Sequence, residues 1–80
     1  MIYRAYLRTA AGQVTEKTVT PSRAAALVAF EELVGRMDLG GQKLAAALTC
    51  DNHQVAFHRF DSQPGHADYW RGRLDEIQWP

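Results

Sequence analysis

Two stretches of alternating apolar and polar residues, one stripe at helical spacing, and two further alternations follow one another along this chain. That order constrains the fold more than any other feature, because a two-residue period builds strands and a 3.6-residue period builds a helix. Residues Ile2 to Thr9 alternate, with Tyr3, Ala5 and Leu7 on one side and Arg4, Tyr6 and Arg8 on the other. Ala10-Ala11-Gly12-Gln13 suits a hairpin turn, and Val14 to Thr20 is rich in β-branched residues that favour a strand. Whether Glu16 or Lys17 shares the face of Arg4 and Tyr6 depends on a one-residue register that the pattern leaves open.

Thr20-Pro21 predicts a helix start, with Thr20 as cap and Pro21 at the first helical position. Ala26, Leu27, Phe30, Leu33, Val34 and Met37 then form an apolar stripe, and Gly40-Gly41 stops the helix. Lys43 to Cys50 and Gln54 to Phe60 alternate around Asp51-Asn52-His53, residues that tolerate a tight turn. A two-residue Asp51-Asn52 loop places Leu48 opposite Val55, Ala46 opposite Phe57, Ala45 opposite His58 and Lys43 opposite Phe60; an Asn52-His53 loop keeps the same apolar face in another register. After the loop Asp61 to Gly65, the spacing of Trp70, Leu74 and Ile77 predicts a short second helix starting at His66 or Ala67. Gly72 weakens it.

The expected fold is therefore one α+β domain over residues 1–80, in β-β-α-β-β-α order. A four-stranded antiparallel sheet is covered by one long and one short helix. With both helices on one face, the other face is open to water or to a partner. Arg4, Tyr6 and Arg8 from the first strand, with His58 and Phe60 from the fourth, form a candidate aromatic and basic platform on it. Tyr69, Arg73 and Trp79, protruding from the tail, are candidate anchors for a partner.

Nine basic residues balance nine acidic ones. Zero net charge favours a protein partner or a second copy of the chain over nucleic acid, whose grip rests on an excess of cations. Single-stranded nucleic acid on the platform is the alternative. The single cysteine, Cys50, lies on the apolar side of its strand, where a free thiol acts as a small hydrophobe. No signature surrounds it to make a nucleophile with His53 or His58. His53, His58 and His66 match no metal-ligand spacing, so no metal, cofactor or enzymatic activity is expected. The longest apolar run, Ala24 to Phe30, falls short of a membrane span, and the absence of disulfides fits the cytoplasm.

The stretch His58-Arg59-Phe60-Asp61, then Pro64-Gly65, then Tyr69 to Ile77 resembles small proteins carried on proteobacterial integrative and conjugative elements. Tyr3 to Leu7 and Asp51 to Gln54 share that likeness. The resemblance implies a bacterial cytoplasm and an accessory role, and it assigns no site residues.

Overall fold

The alternations become strands. The computed structural model describes residues 1–80, with β1 at Tyr3–Thr9, β2 at Val14–Thr20, β3 at Leu44–Cys50 and β4 at His53–Arg59. All neighbours are antiparallel and the strand order is β2-β1-β3-β4. Helix α1, Arg23–Val34, packs on β1, β3 and β2 from one side. Tyr3, Ala5 and Leu7 of β1 and Ala46, Leu48 and Cys50 of β3 meet Ala26, Phe30, Leu33 and Val34 of α1 in the core. The α+β class and the four-stranded antiparallel sheet agree with the reading from sequence. No helix is long and apolar enough to cross a membrane.

Helix α1 starts two residues later than the expected cap. Ser22 holds the extended backbone of a cap, and its hydroxyl accepts from the Ala25 amide at 3.2 Å. Thr20 instead accepts from the Ser22 amide, which shapes the entry. The helix ends at Gly35, so Met37 falls outside the stripe: it is 78% exposed and opens a 3₁₀ turn, Met37–Leu39, whose Leu39 is buried in its place.

Two β-bulges decide which side chains share a face. Glu16 and Lys17 together oppose Tyr6, and Glu16 takes a φ of 50°. A bulge inserts a residue and re-aims its neighbours. Here Glu16 reaches Arg36 at 2.7 Å, while Lys17 lines a concavity with Arg4 and Tyr6. The second bulge lies in β4. Asp51 and Asn52 form the two-residue turn with φ of 49° and 67°, and Cys50 pairs with His53 and Thr49 with Gln54. Val55 is then the extra residue: Leu48 pairs with Ala56, Ala46 with His58 and Ala45 with Arg59. The expected pairings of Leu48 with Val55, Ala46 with Phe57 and Ala45 with His58 are therefore each wrong by one, and a one-residue slip exchanges the faces.

The second helix does not form. Residues 61–80 run as a series of turns in which amides bond carbonyls three residues back, with one 3₁₀ turn at Leu74–Glu76. Gly72 adopts a φ of 78°, outside the helical region. The Trp70 amide donates to His58 Nδ1 at 2.9 Å instead of to a helical carbonyl. The Arg71 guanidinium donates to the Val34 carbonyl at 2.8 Å, satisfying an end of α1. Trp79 packs edge-on against Tyr3, with Arg23 over its ring at 4.6 Å. The tail thus leaves β4, meets the end of α1 at Arg71 and finishes near the beginning of α1 at Trp79, covering the β4 side of the sheet. Ile77 is buried in the core, and Trp70, Leu74 and Trp79 are partly buried against that core. The apolar spacing in the tail reports burial without a helix.

This geometry gives Gly72 a substitution of diagnostic sign. In a helix, Gly72→Ala would stabilise by about 1 kcal/mol. At its observed φ nothing lies within 4 Å of an added Cβ, so the backbone alone decides. Gly72→Ala is expected to lower stability by about 1–2 kcal/mol in urea unfolding.

Candidate functional site

The face of the sheet opposite α1 carries no helix and no tail. Its floor is the outward row of β3, Ala45, Ala47 and Thr49, each less than 9% exposed because longer neighbours roof it. On one flank stand Arg4, Tyr6 and Arg8 of β1, cross-strand partners of Thr49, Ala47 and Ala45. On the other flank stand Phe57 and Arg59 of β4, paired with Ala47 and Ala45. Val14 and Val19 of β2, 47% and 54% exposed, extend the surface beyond β1.

Two concavities lie on this face. One, of about 260 Å³, is lined by Arg8, Lys43, Ala45, Phe57 and Arg59. The other, of about 320 Å³, is lined by Arg4, Tyr6, Val14, Lys17, Thr49 and Asn52. Arg4 donates to the Asn52 side chain at 3.3 Å, and the Thr49 hydroxyl is buried without a hydrogen-bond partner.

Charge is sorted between the two sides of the molecule. Arg36 pairs with Glu16 and Asp38, Arg59 with Asp61, and Arg73 with Glu76. Arg71 is engaged by the Val34 carbonyl and Arg23 by the Trp79 ring. The remaining four of the nine cations, Arg4, Arg8, Lys17 and Lys43, make no ion pair; Arg4, Arg8 and Lys43 line the open face, and Lys17, at the β2 bulge, lines both that face and the concavity it shares with Glu16, Glu32 and Arg36. No acidic residue stands on that face of any strand; Asp61 lies at its rim, where the hydrogen-bonded Arg59 holds its carboxyl below the ordinary range. A chain of zero net charge therefore presents one basic face.

The structure keeps three of the five expected platform residues together: Arg4, Tyr6 and Arg8. His58 and Phe60 are absent from it. The β4 bulge turns them to the covered side, where they are 1% and 5% exposed. Phe57 and Arg59 take their places, joined by Lys17 and Lys43. Sequence reasoning left Lys17 open against Glu16 and missed Phe57, Arg59 and Lys43; the only signal for Phe57 was a strand with apolar residues on both parities. Tyr69, Arg73 and Trp79 do not protrude as expected. Tyr69 packs on His58 with ring centroids 5.1 Å apart, and Arg73 bonds the Tyr69 and His66 carbonyls and lies over Trp70. All three are half-buried parts of the tail's own packing.

His58 is the most perturbed titratable group of the interior. Its Nδ1 accepts from the Trp70 amide, so the ring proton belongs on Nε2. Burial, and then the nearby Arg71 charge, push its pKa down to about 4. A neutral, hydrogen-bonded imidazole between Phe60 and Tyr69 is a packing element pinning tail to sheet. The Cys50 thiol is buried against Met1 Sδ at 3.7 Å. No three His, Cys, Asp or Glu side chains are placed to hold a metal ion. Comparison with protein-family models, curated proteins and solved structures finds no match to this chain.

Proposed function

We propose that this chain is a non-enzymatic binding protein whose open sheet face takes single-stranded nucleic acid. The observation that carries the reading is the sorting of charge. Four cations that make no ion pair border one face with Tyr6 and Phe57, and the only acid near them on that face is Asp61 at its rim, held by Arg59. Unpaired arginine and lysine suit phosphates, and half-exposed rings on a sheet suit unstacked bases, which any sequence can supply. The even net charge, which favoured a protein partner when only totals were counted, loses its force once the charges are separated in space. A protein partner is the competing occupant, and the exposed Val14 and Val19 beside the cations are what favour it.

Fluorescence anisotropy with a labelled oligonucleotide of about ten residues separates the two. Affinity is expected to fall linearly in log–log form as salt rises from about 50 to 200 mM, because each phosphate contact releases counterions. Arg8→Glu is expected to abolish binding, whereas Arg23→Ala, on the covered side, leaves it within about twofold. A folded protein that ignores the oligonucleotide at low salt refutes the proposal.

A further inference from the structure

The two concavities of the open face sit at opposite ends of one strand. Arg4 and Arg8 are four residues apart on β1, which at ~3.4 Å per residue separates their Cα atoms by about 14 Å. At one end Asn52 joins Arg4, at the other Lys43 and Arg59 join Arg8, and Lys17, opposite Tyr6, reaches the Arg4 concavity from the middle. Tyr6 stands midway, and Phe57 faces it across Ala47. Cation, ring, cation is thus the order along the strand. The orphaned Thr49 hydroxyl, on the cross-strand partner of Arg4, adds an unmet polar group at one end.

Building on the function proposed above, we infer that the bound strand lies along β1, with one backbone phosphate held at the Arg4 end, one at the Arg8 end, and bases on Tyr6 and Phe57 between. The span fixes the length of the ligand. Stacked nucleotides advance ~3.4 Å per step along a strand and unstacked ones about twice that. Phosphates about 14 Å apart therefore lie about four steps apart in a stacked strand but about two apart when the bases splay onto Tyr6 and Phe57, the span of the three phosphates in a four-nucleotide ligand. The site therefore takes about three or four nucleotides, near the lower end of single-strand sites. Edge-strand β2 adds no cation beyond Lys17, so a longer ligand gains no further phosphate contact.

Oligothymidylates and oligouridylates of about two to ten residues test the inference. Affinity is expected to rise at least tenfold from two to four nucleotides, then by no more than about sevenfold up to ten, the increase that the extra binding positions of a four-nucleotide site alone provide. With the four-nucleotide ligand, Arg4→Ala and Arg8→Ala are each expected to reduce the salt slope by about 0.7, one phosphate apiece. An affinity that climbs by about fiftyfold or more from four to ten nucleotides, or a slope moved by only one of the two arginines, overturns the two-ended site while leaving single-strand binding standing. Failure of every length at low salt refutes both. The deoxy and ribo series differ at the 2′-hydroxyl and at the thymine methyl, so equal curves fit a site that holds phosphates and stacks bases without reading either.

Discussion

Acidifying this protein from neutral pH to about 4 is expected to remove on the order of 3 kcal/mol of stability, with His58 as the source. In the unfolded chain the imidazole titrates near its ordinary 6.5; in the folded protein burial, reinforced by Arg71, pushes it down to about 4. Between those values the unfolded chain binds a proton that the folded one refuses. Stability is therefore full above 6.5, falls as pH drops through that window, and reaches its floor below about 4. Protonation would also set a second N–H against the Trp70 amide where Nδ1 now accepts. Urea midpoints measured across the window check this. His58→Asn, whose side-chain oxygen can accept the same amide proton, is expected to flatten the curve. A wild-type midpoint that does not move between pH 6.5 and 4.5 would show that the ring is not held neutral. The carboxyls of Asp38 and Asp61 do not blur the reading. Hydrogen bonds from Arg36 and Arg59 hold them below 3.8, so what they contribute is present above that pH and is lost only as pH falls further.

The same histidine marks where sequence and structure part. β1 has no extra residue of its own, and its alternation assigned Tyr3, Ala5 and Leu7 to the core and Arg4, Tyr6 and Arg8 to the open face correctly. The Asp51-Asn52 turn was also legible, because those residue types take the left-handed conformation it needs. What failed was parity in β4. Val55 and Phe57 are apolar on one parity, Ala56 and Phe60 on the other, so either face reads as hydrophobic and a bulge costs the pattern nothing. The choice comes from tertiary context. His58 finds its hydrogen bond only under the tail, and Phe60 fills the core there.

The tail failed for a related reason. Trp70, Leu74 and Ile77 at helical spacing marked residues that end up covered, and the inference from cover to helix was one step too many. Gly72 and the side-chain bonds of Arg71 and Arg73 hold an irregular chain that buries the same residues. Composition misled in the same way. Nine against nine says nothing about where the charges stand, and the β2 bulge alone moves Glu16 to Arg36 and leaves Lys17 beside Arg4. A backbone irregularity, invisible in totals and nearly so in periodicity, thereby makes the basic face.

Two phenylalanines three positions apart are expected to give opposite phenotypes. Phe60 is 5% exposed in the core, and Phe60→Ala should cost about 3–5 kcal/mol. A chain of 80 residues commands about 4–12 kcal/mol in all, so that variant should be largely unfolded or melt far below the parent. Phe57 lies half-buried on the open face with only Ala47 beneath it as a cross-strand neighbour. Phe57→Ala should change stability by about 1 kcal/mol or less. Its loss should appear in binding, where removing one stacking ring costs about 1–3 kcal/mol, or roughly 5- to 150-fold in affinity. Thermal unfolding and anisotropy on the two variants, measured side by side, read both effects. The reverse outcome, an unstable Phe57→Ala and a stable, binding-defective Phe60→Ala, would mean that β4 pairs without its bulge. In that case His58 and Phe60 would face outward, and the basic face would have to be rebuilt around them.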